Sequence, residues 1–261
     1  MRRFHLIEFH EQPWVPTSLR DAATDYLAHV EAIGKIHDSM APILAKAIRK
    51  CGTNRVIDLG SGGAGPWGRL QGLVSEELGE DLKVVLTDLH PNAAAFETVC
   101  AQHGDSITFL NESVDMLHVP DNVRGFRTLF SSFHHFGPED CKRILQDAVE
   151  RREGIAVVEF TERSAVGIVL MIFIPLIVLL VTPFVKPFRW SRLFWTYLFP
   201  VAAPLIMIDG IVSCLRMYTP EEMLAMAEEV GGEGYSWEIG TNKVPGMPVP
   251  GTYLVGVPQA E

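Results

Sequence analysis

Five short apolar runs, Arg55–Gly60, Leu82–Asp88, Ile107–Leu110, Phe126–Ser131 and Ile155–Phe160, alternate with stretches of helical spacing. They are nearly continuous in Val, Ile, Leu and Phe, the pattern of strands covered on both faces. Helices are expected over Trp67–Leu78, Asn92–His103 and Pro138–Arg152. Strands and helices in this alternation dictate a parallel sheet with a helical layer on each side. Further on, Pro220–Val230 reads as a helix, with Thr219 and Glu222 placed for a capping box. Tyr235–Lys243 and Thr252–Val257 read as two strands joined by a Pro/Gly-rich loop, an antiparallel hairpin at the sheet edge. The expected fold is a three-layer α/β sandwich on a mostly parallel, seven-stranded sheet with a C-terminal antiparallel hairpin.

Ahead of the sheet, residues 17–50 read as two helices. Thr17 or Ser18 is placed to cap the first, the second runs over Pro42–Lys50, and Gly52 stops it. The proline-punctuated segment Phe9–Pro16 is expected to pack on the core. A formal net charge of -10 repels phosphate backbones, so nucleic acid is not an expected partner. Cys51, Cys100, Cys141 and Cys214 are scattered, without a CxxC pair or zinc spacing, so neither a disulfide framework nor a metal is expected. The first residues lack the continuous apolar core of a cleaved leader.

The chemistry-bearing signal is Asp58-Leu-Gly60-Ser61-Gly62-Gly63-Ala64-Gly65, at a strand end where a helix opens. Glycines there let backbone N–H groups approach a ligand with no Cβ in the way. Asp58, just before them, suits a cationic amino acid moiety and would repel a pyrophosphate. Asp88, at the end of the next strand, suits a ribose diol.

Asp58-Leu-Gly-Ser-Gly-Gly, Thr87-Asp88, Val114-Asp115-Met116-Leu-His-Val-Pro120 and Phe130-Ser-Ser-Phe-His-His-Phe136, in this order, resemble the successive motifs of class I S-adenosylmethionine (SAM)-dependent methyltransferases. The resemblance covers roughly residues 50–160, with a tail at 219–258, and implies a Rossmann-like fold and SAM as cofactor. It implies that Asp58 lies near the methionine amino group, with Gly60, Ser61 and Gly62 lining the methionine side. Asp88 would hold the ribose hydroxyls, Asp115 the adenine amino group, and the Met116 N–H would face an adenine ring nitrogen. Ser131 would lie near the reacting methyl. One departure is Ala64, standing where the family carries its third glycine. His134 and His135 follow the fourth strand and are the candidate catalytic bases; His37, Asp38 and Glu159 are further polar residues within reach of a pocket. The place of an Asn-Pro-Pro-Tyr type motif reads Ser131-Ser-Phe-His-His-Phe136, which points to a small-molecule acceptor.

Residues 165–185 carry no charge, and a second apolar stretch follows over Leu193–Ile208, broken by Pro200 and Pro204. About 20 apolar residues suffice to span a bilayer. A spanning hairpin would, however, place the basic loop of Lys186, Arg189 and Arg192 opposite a cytoplasmic domain, against the preference of such loops. The expected arrangement is monotopic. Residues 165–209 would contact the cytoplasmic membrane face, the basic residues with Trp190 and Trp195 would rest at the headgroups, and Pro175 would break the first segment. A buried lid or a dimer interface is the alternative. Asp209 and Arg216 would orient an acceptor or form one structural ion pair. The expected organisation is a helical cap at 1–50, a SAM-binding core at 51–160, an apolar insertion at 161–214, and a last helix and hairpin at 215–261. The expected activity is methyl transfer to a small, lipophilic acceptor, in a cytoplasmic, membrane-associated protein. A non-catalytic SAM-binding adaptor and a nucleotide-dependent oxidoreductase are the rivals.

Overall fold

The apolar runs form one seven-stranded sheet in a computed structural model that describes residues 1–243 and 248–259. The strands are β1 (Arg55–Leu59), β2 (Lys83–Thr87), β3 (Ile107–Phe109), β4 (Phe126–Phe130), β5 (Ile155–Glu159), β6 (Tyr235–Asn242) and β7 (Gly251–Pro258), in the order β3-β2-β1-β4-β5-β7-β6. Strands β1 to β5 are parallel, and β7 runs antiparallel to both β5 and β6. Part of the β6–β7 connection, 244–247, lies outside the described residues.

The helices are α1 (Thr17–Gly34), α2 (Ala41–Lys50), α3 (Trp67–Leu78), α4 (Ala93–His103), α5 (Pro138–Glu150), α6 (Ala165–Val181), α7 (Trp190–Leu193), α8 (Ala202–Arg216) and α9 (Pro220–Val230). Alternate residues of each strand supply two cores, as the period of a strand requires. Val56, Val84, Phe126 and Val158 pack under α2, α3 and α4, whereas Ile57, Val85, Leu129 and Val157 pack under α5 and α9. The capping box at α9 forms as expected: Thr219 Oγ1 accepts from the Glu222 N–H, and Glu222 Oε2 from the Thr219 N–H at 2.9 Å. Helix α1 departs from expectation, since Pro16 occupies its N-cap and neither Thr17 nor Ser18 caps it. The left-handed Gly52 follows α2, whose C-cap is Cys51.

The insertion is helical through most of its length. Ser164 caps α6, and Pro175 lies inside that helix without ending it, correcting the expected break. A proline removes one helical hydrogen bond; at Pro175 the packing of Ile174 and Val178 against α1 and α8 carries the helix through. The chain then bends by 87° between residues 190–198 and α8, at Phe199-Pro200-Val201. Residues Ala165–Phe184 are long and apolar enough to cross a membrane, with a mean hydropathy of 3.0.

The basic loop does not turn outward as expected. Arg192 is buried, binding Asp25 of α1 and the Val185 and Pro187 carbonyls. Arg189 binds Asp21 at 2.9 Å, Asp25 at 3.0 Å and the Asn92 side chain at 2.6 Å. Lys186 alone of the three stays exposed, and Trp195 donates to Ser18 while Trp190 faces outward. The reason is the buried Asp25 carboxylate, which would be left uncompensated in the interior without these guanidiniums. Arg192→Ala is therefore expected to lower unfolding free energy by about 3 kcal/mol in denaturant titration, whereas Lys186→Ala should change it by less than about 0.5 kcal/mol.

Candidate cofactor site

The crevice outside the carboxyl ends of β1 and β4 is the switch point of this strand order, where open α/β sheets bind ligands. Asp58, next to last in β1, is buried there. Its Oδ2 accepts from the Ser61 hydroxyl at 2.6 Å and its Oδ1 from the Thr128 hydroxyl of β4 at 2.7 Å. Burial pushes its pKa up to about 6, against the opposing pull of those two hydroxyls. The Gly60 and Ser61 N–H groups both donate to the Thr87 carbonyl, at 3.0 and 2.9 Å, closing the turn onto β2. Gly60 and Gly62 are left-handed, with φ of +76° and +52°. Ala64 is left-handed too, at φ +80°, so the turn keeps a glycine-like path through the departing residue and strains it.

Asp88 follows β2 and faces this turn. Its Oδ2 accepts from the Gly62 N–H at 2.8 Å and its Oδ1 from the His90 N–H at 2.7 Å. It is not a helix cap; Asn92 caps α4. The Val114 N–H donates to the Asp88 carbonyl at 2.9 Å, which draws the loop after β3 to the same edge. In that loop the Asp115 carboxylate accepts from the Leu117 N–H at 2.9 Å and lies 3.0 Å from His118 Nδ1. Although burial opposes it, these partners hold Asp115 below the usual carboxylate range. The Met116 side chain lies directly over Gly60, filling the space that a Cβ there would need.

Ser131 follows β4 with φ +47° and donates its N–H to the Val158 carbonyl at 2.8 Å. A non-glycine residue held in that region at a strand end is a mark of a functional turn. The next residue, Ser132, is an addition to the expected site. Its hydroxyl is buried without a hydrogen-bond partner and faces Gly60. The tandem Ser131-Ser132 is the one sequence signal for it.

Helix α1 roofs the turn. A Cβ on Gly63 would meet the Thr24 carbonyl of α1 at 2.6 Å, so that glycine serves helix approach rather than a ligand. His37, beyond α1, is buried edge-on against Phe130 and Phe160 with Nε2 3.0 Å from Glu31. Asp38 instead forms a two-pronged pair with Arg69 on the surface.

His134 and His135 lie on a short 3-10 turn after β4 and enter a buried charged cluster. His134 Nδ1 is 2.9 Å from Glu159 Oε2, and Glu159 Oε1 accepts the His134 N–H at 3.0 Å. His135 Nδ1 is 2.5 Å from Glu11. Burial, helped by Arg216, lowers His134 to about 3; burial and His134 lower His135. Burial pushes Glu159 up to about 7. Asp209 and Arg216 do not pair with each other. Asp209 accepts the Phe9 and His10 N–H groups at 2.7 and 3.0 Å, and Arg216 binds Glu11 at 3.0 Å and the His134 and His135 carbonyls. Both clasp the N-terminal segment to the body, but of Phe9–Pro16 only Val15 is buried and Trp14 stays 68% exposed, so the segment is held by polar contacts where core packing was expected. Glu8, Glu11 and Arg3 join this cluster without any sequence signal, because nothing local marks residues that meet only through the fold.

No family model matches the chain, and no curated protein matches it. Solved structures do. An O-methyltransferase of neocarzinostatin biosynthesis, solved with SAM and 2-hydroxy-5-methyl naphthoic acid, is 14% identical with a TM-score of 0.54, over 92% of this chain and 58% of that one. A SAM-dependent methyltransferase from Aquifex aeolicus is 14% identical with a TM-score of 0.51, over 90% and 97%. Human N-acetylserotonin methyltransferase, solved with SAM, is 14% identical with a TM-score of 0.50, over 99% and 63%. The chain spans a little over half the length of the O-methyltransferases among its matches. Strand order, the closing antiparallel pair and the glycine turn at the switch point together give this chain the fold of the class I SAM-dependent methyltransferases.

Proposed function

We propose that the chain is a SAM-dependent methyltransferase acting on a small, lipophilic acceptor at the cytoplasmic face of a membrane. The observation that carries the cofactor reading is the convergence of Asp58, the left-handed Gly60 and Gly62, Asp88 and Met116 on one sheet edge. These residues fit SAM. Asp58 supplies a negative group for the ammonium, and each Asp88 oxygen keeps a second lone pair for ribose hydroxyls. The buried Ser132 hydroxyl beside Gly60 has a donor to give, and Asp115 with the Met116 N–H suits the adenine edge. Ser131 stands at the methyl end. When bound, SAM supplies a methyl on a cationic sulfur that is displaced in line. The chain's part is to align donor and acceptor and to exclude water; α1, seated on the turn, serves the second task. His134 and His135 move no proton in this reading. Nδ1 of each ring is bound to a carboxylate, and His134 Nε2 faces Glu8.

The membrane reading draws on the outer face of α6 and of residues 184–199. Leu176, Leu180, Trp190 and Leu198 are 60%, 73%, 77% and 76% exposed, and exposed apolar side chains grouped in this way mark an interaction or membrane surface. The helix is tied to the body near both ends, by Arg163–Glu222 before it and by Arg189 and Arg192 on α1 after it. A spanning helix would carry its far end about 26 Å away, at ~1.5 Å per residue. The two anchors favour a helix lying in the membrane plane. Helices α6 and α8 would then wall an apolar acceptor pocket.

Calorimetry is expected to detect SAM and S-adenosylhomocysteine but not NADH, with Asp88→Ala weakening both at least about tenfold, the loss of a charged hydrogen bond. Binding of none in a folded sample points to a non-catalytic adaptor, and NADH alone to an oxidoreductase. Affinity for SAM should fall as pH drops through about 6, because protonation removes the Asp58 charge that meets the ammonium. For the free protein the sign is the reverse. A carboxyl raised on folding contributes stability below its ordinary value and loses it as pH rises through about 6. Asp58→Asn should flatten both profiles. In flotation with zwitterionic liposomes the intact protein should rise with the vesicles, and a Phe173→Glu, Leu176→Glu, Leu180→Glu variant should stay at the bottom. An intact protein that does not float removes the membrane from the proposal.

A further inference from the structure

The buried cluster behind the β4 end holds an arrangement that hydrogen bonding leaves unfinished. Glu8 is completely buried; its Oε1 accepts the Ser213 hydroxyl at 3.0 Å and its Oε2 has no hydrogen-bond partner. His134, also buried, has no partner for Nε2, which lies 3.7 Å from Glu8 Oε1. His135 Nδ1 lies 3.7 Å from Glu8 Oε2. One ligand atom from each of these three residues lies within 4.8 Å of the other two. A separation of 3.7 Å is too long for a direct hydrogen bond. The two 3.7 Å approaches run to different oxygens of Glu8, so the carboxylate stands between the two rings with an oxygen toward each.

The surroundings agree in chemistry. His134 holds Glu159 through Nδ1, the carboxylate–histidine pairing that fixes a metal-binding tautomer and leaves Nε2 as a bare lone pair. Glu11, 2.5 Å from His135 Nδ1, is placed to follow as a fourth ligand, the second to bind through oxygen, once a cation replaces the proton of that hydrogen bond. Four carboxylates, Glu8, Glu11, Glu159 and Asp209, gather here, with the Arg216 guanidinium on Glu8 and Glu11 and that of Arg3 on the His134 and Phe136 carbonyls. Arg216 Nη1 sits 3.4 Å from Glu8 and adds one positive charge, while its other nitrogens brace the carbonyls of both histidines.

We infer that Glu8, His134 and His135 form a binding site for one divalent transition-metal ion, zinc by its donor set, which clamps the N-terminal segment to the turn after β4. Two imidazoles and a carboxylate are a zinc-type set; magnesium and calcium prefer oxygen alone. The site is independent of the SAM reading.

The test uses the full chain. Elemental analysis of the purified protein, then zinc titration by calorimetry after chelator dialysis, is expected to give about one zinc per chain. Glu8→Gln, which keeps the Ser213 hydrogen bond, and His135→Gln should each weaken it at least tenfold. His103→Ala, outside the cluster, should leave it unchanged. Chelator should lower the melting temperature of the wild type and not that of Glu8→Gln. Cobalt added to the dialysed wild type should give the visible absorption of a four-coordinate site, a readout that needs no variant to fold. A folded wild type that gives no cobalt band, or that binds no more zinc than Glu8→Gln, overturns the inference, as does loss of zinc in His103→Ala.

Discussion

The buried carboxylate of Asp25 is the constraint on which the arrangement around the sheet edge depends. An isolated ion there would be untenable, so the interior must bring cations and donors to it. It gathers Arg192 and Arg189 from the insertion and the side chain of Asn92, the residue that caps α4. One group thus fixes three elements: the helix that roofs the glycine turn, the helix that follows Asp88, and the return of the apolar insertion. The same helix presents Thr24 to Gly63 one residue away, so the roof and its anchor share a turn of α1. The geometry at Asp58 and Asp88 is in this sense held from above as well as from the sheet.

A second buried cluster does the corresponding work on the far side of the turn after β4. Glu8, Glu11 and Arg3 come from the first residues, His134, His135 and Glu159 from the sheet edge, and Asp209 and Arg216 from α8. The apolar insertion is therefore pinned to the body by charge at α8 as well as at residues 189–192, while its outer face stays apolar. This division reconciles a greasy surface with a rigid attachment.

Much of the fold was legible because its signals are local. Continuous runs such as Val84-Val85-Leu86 identify covered strands, and Thr219 with Glu222 announces a helix start within four residues. The cofactor-edge aspartates were legible because each sits at or near a strand end that the runs delimit. What was not legible depended on distant partners. Arg189 and Arg192 look like headgroup ligands until α1 brings Asp21 and Asp25 to them. Pro175 looks like a breaker until tertiary packing on Ile174 and Val178 outweighs one missing hydrogen bond. Ser132 is indistinguishable from Ser131 until the left-handed turn at Ser131 decides which hydroxyl is buried. The meeting of Glu8 with His134 and His135 has no sequence spacing at all to betray it.

The two clusters also set an order of events during synthesis. Asp25 waits for Arg192, 167 residues later, and Glu11 waits for Arg216, 205 residues later. Contacts between such remote parts of a chain are slow to close, because the loop entropy is lost before they form. Strands β1 to β5 precede these partners in the chain, so α1 and the Glu8–Glu11 segment are among the last parts to be fixed against the sheet. Both guanidiniums that meet the buried carboxylate of the α1 roof, Arg189 and Arg192, follow α6 in the chain. The roof of the crevice is therefore anchored by residues that follow the apolar helix α6, and β6 and β7 complete the sheet later still.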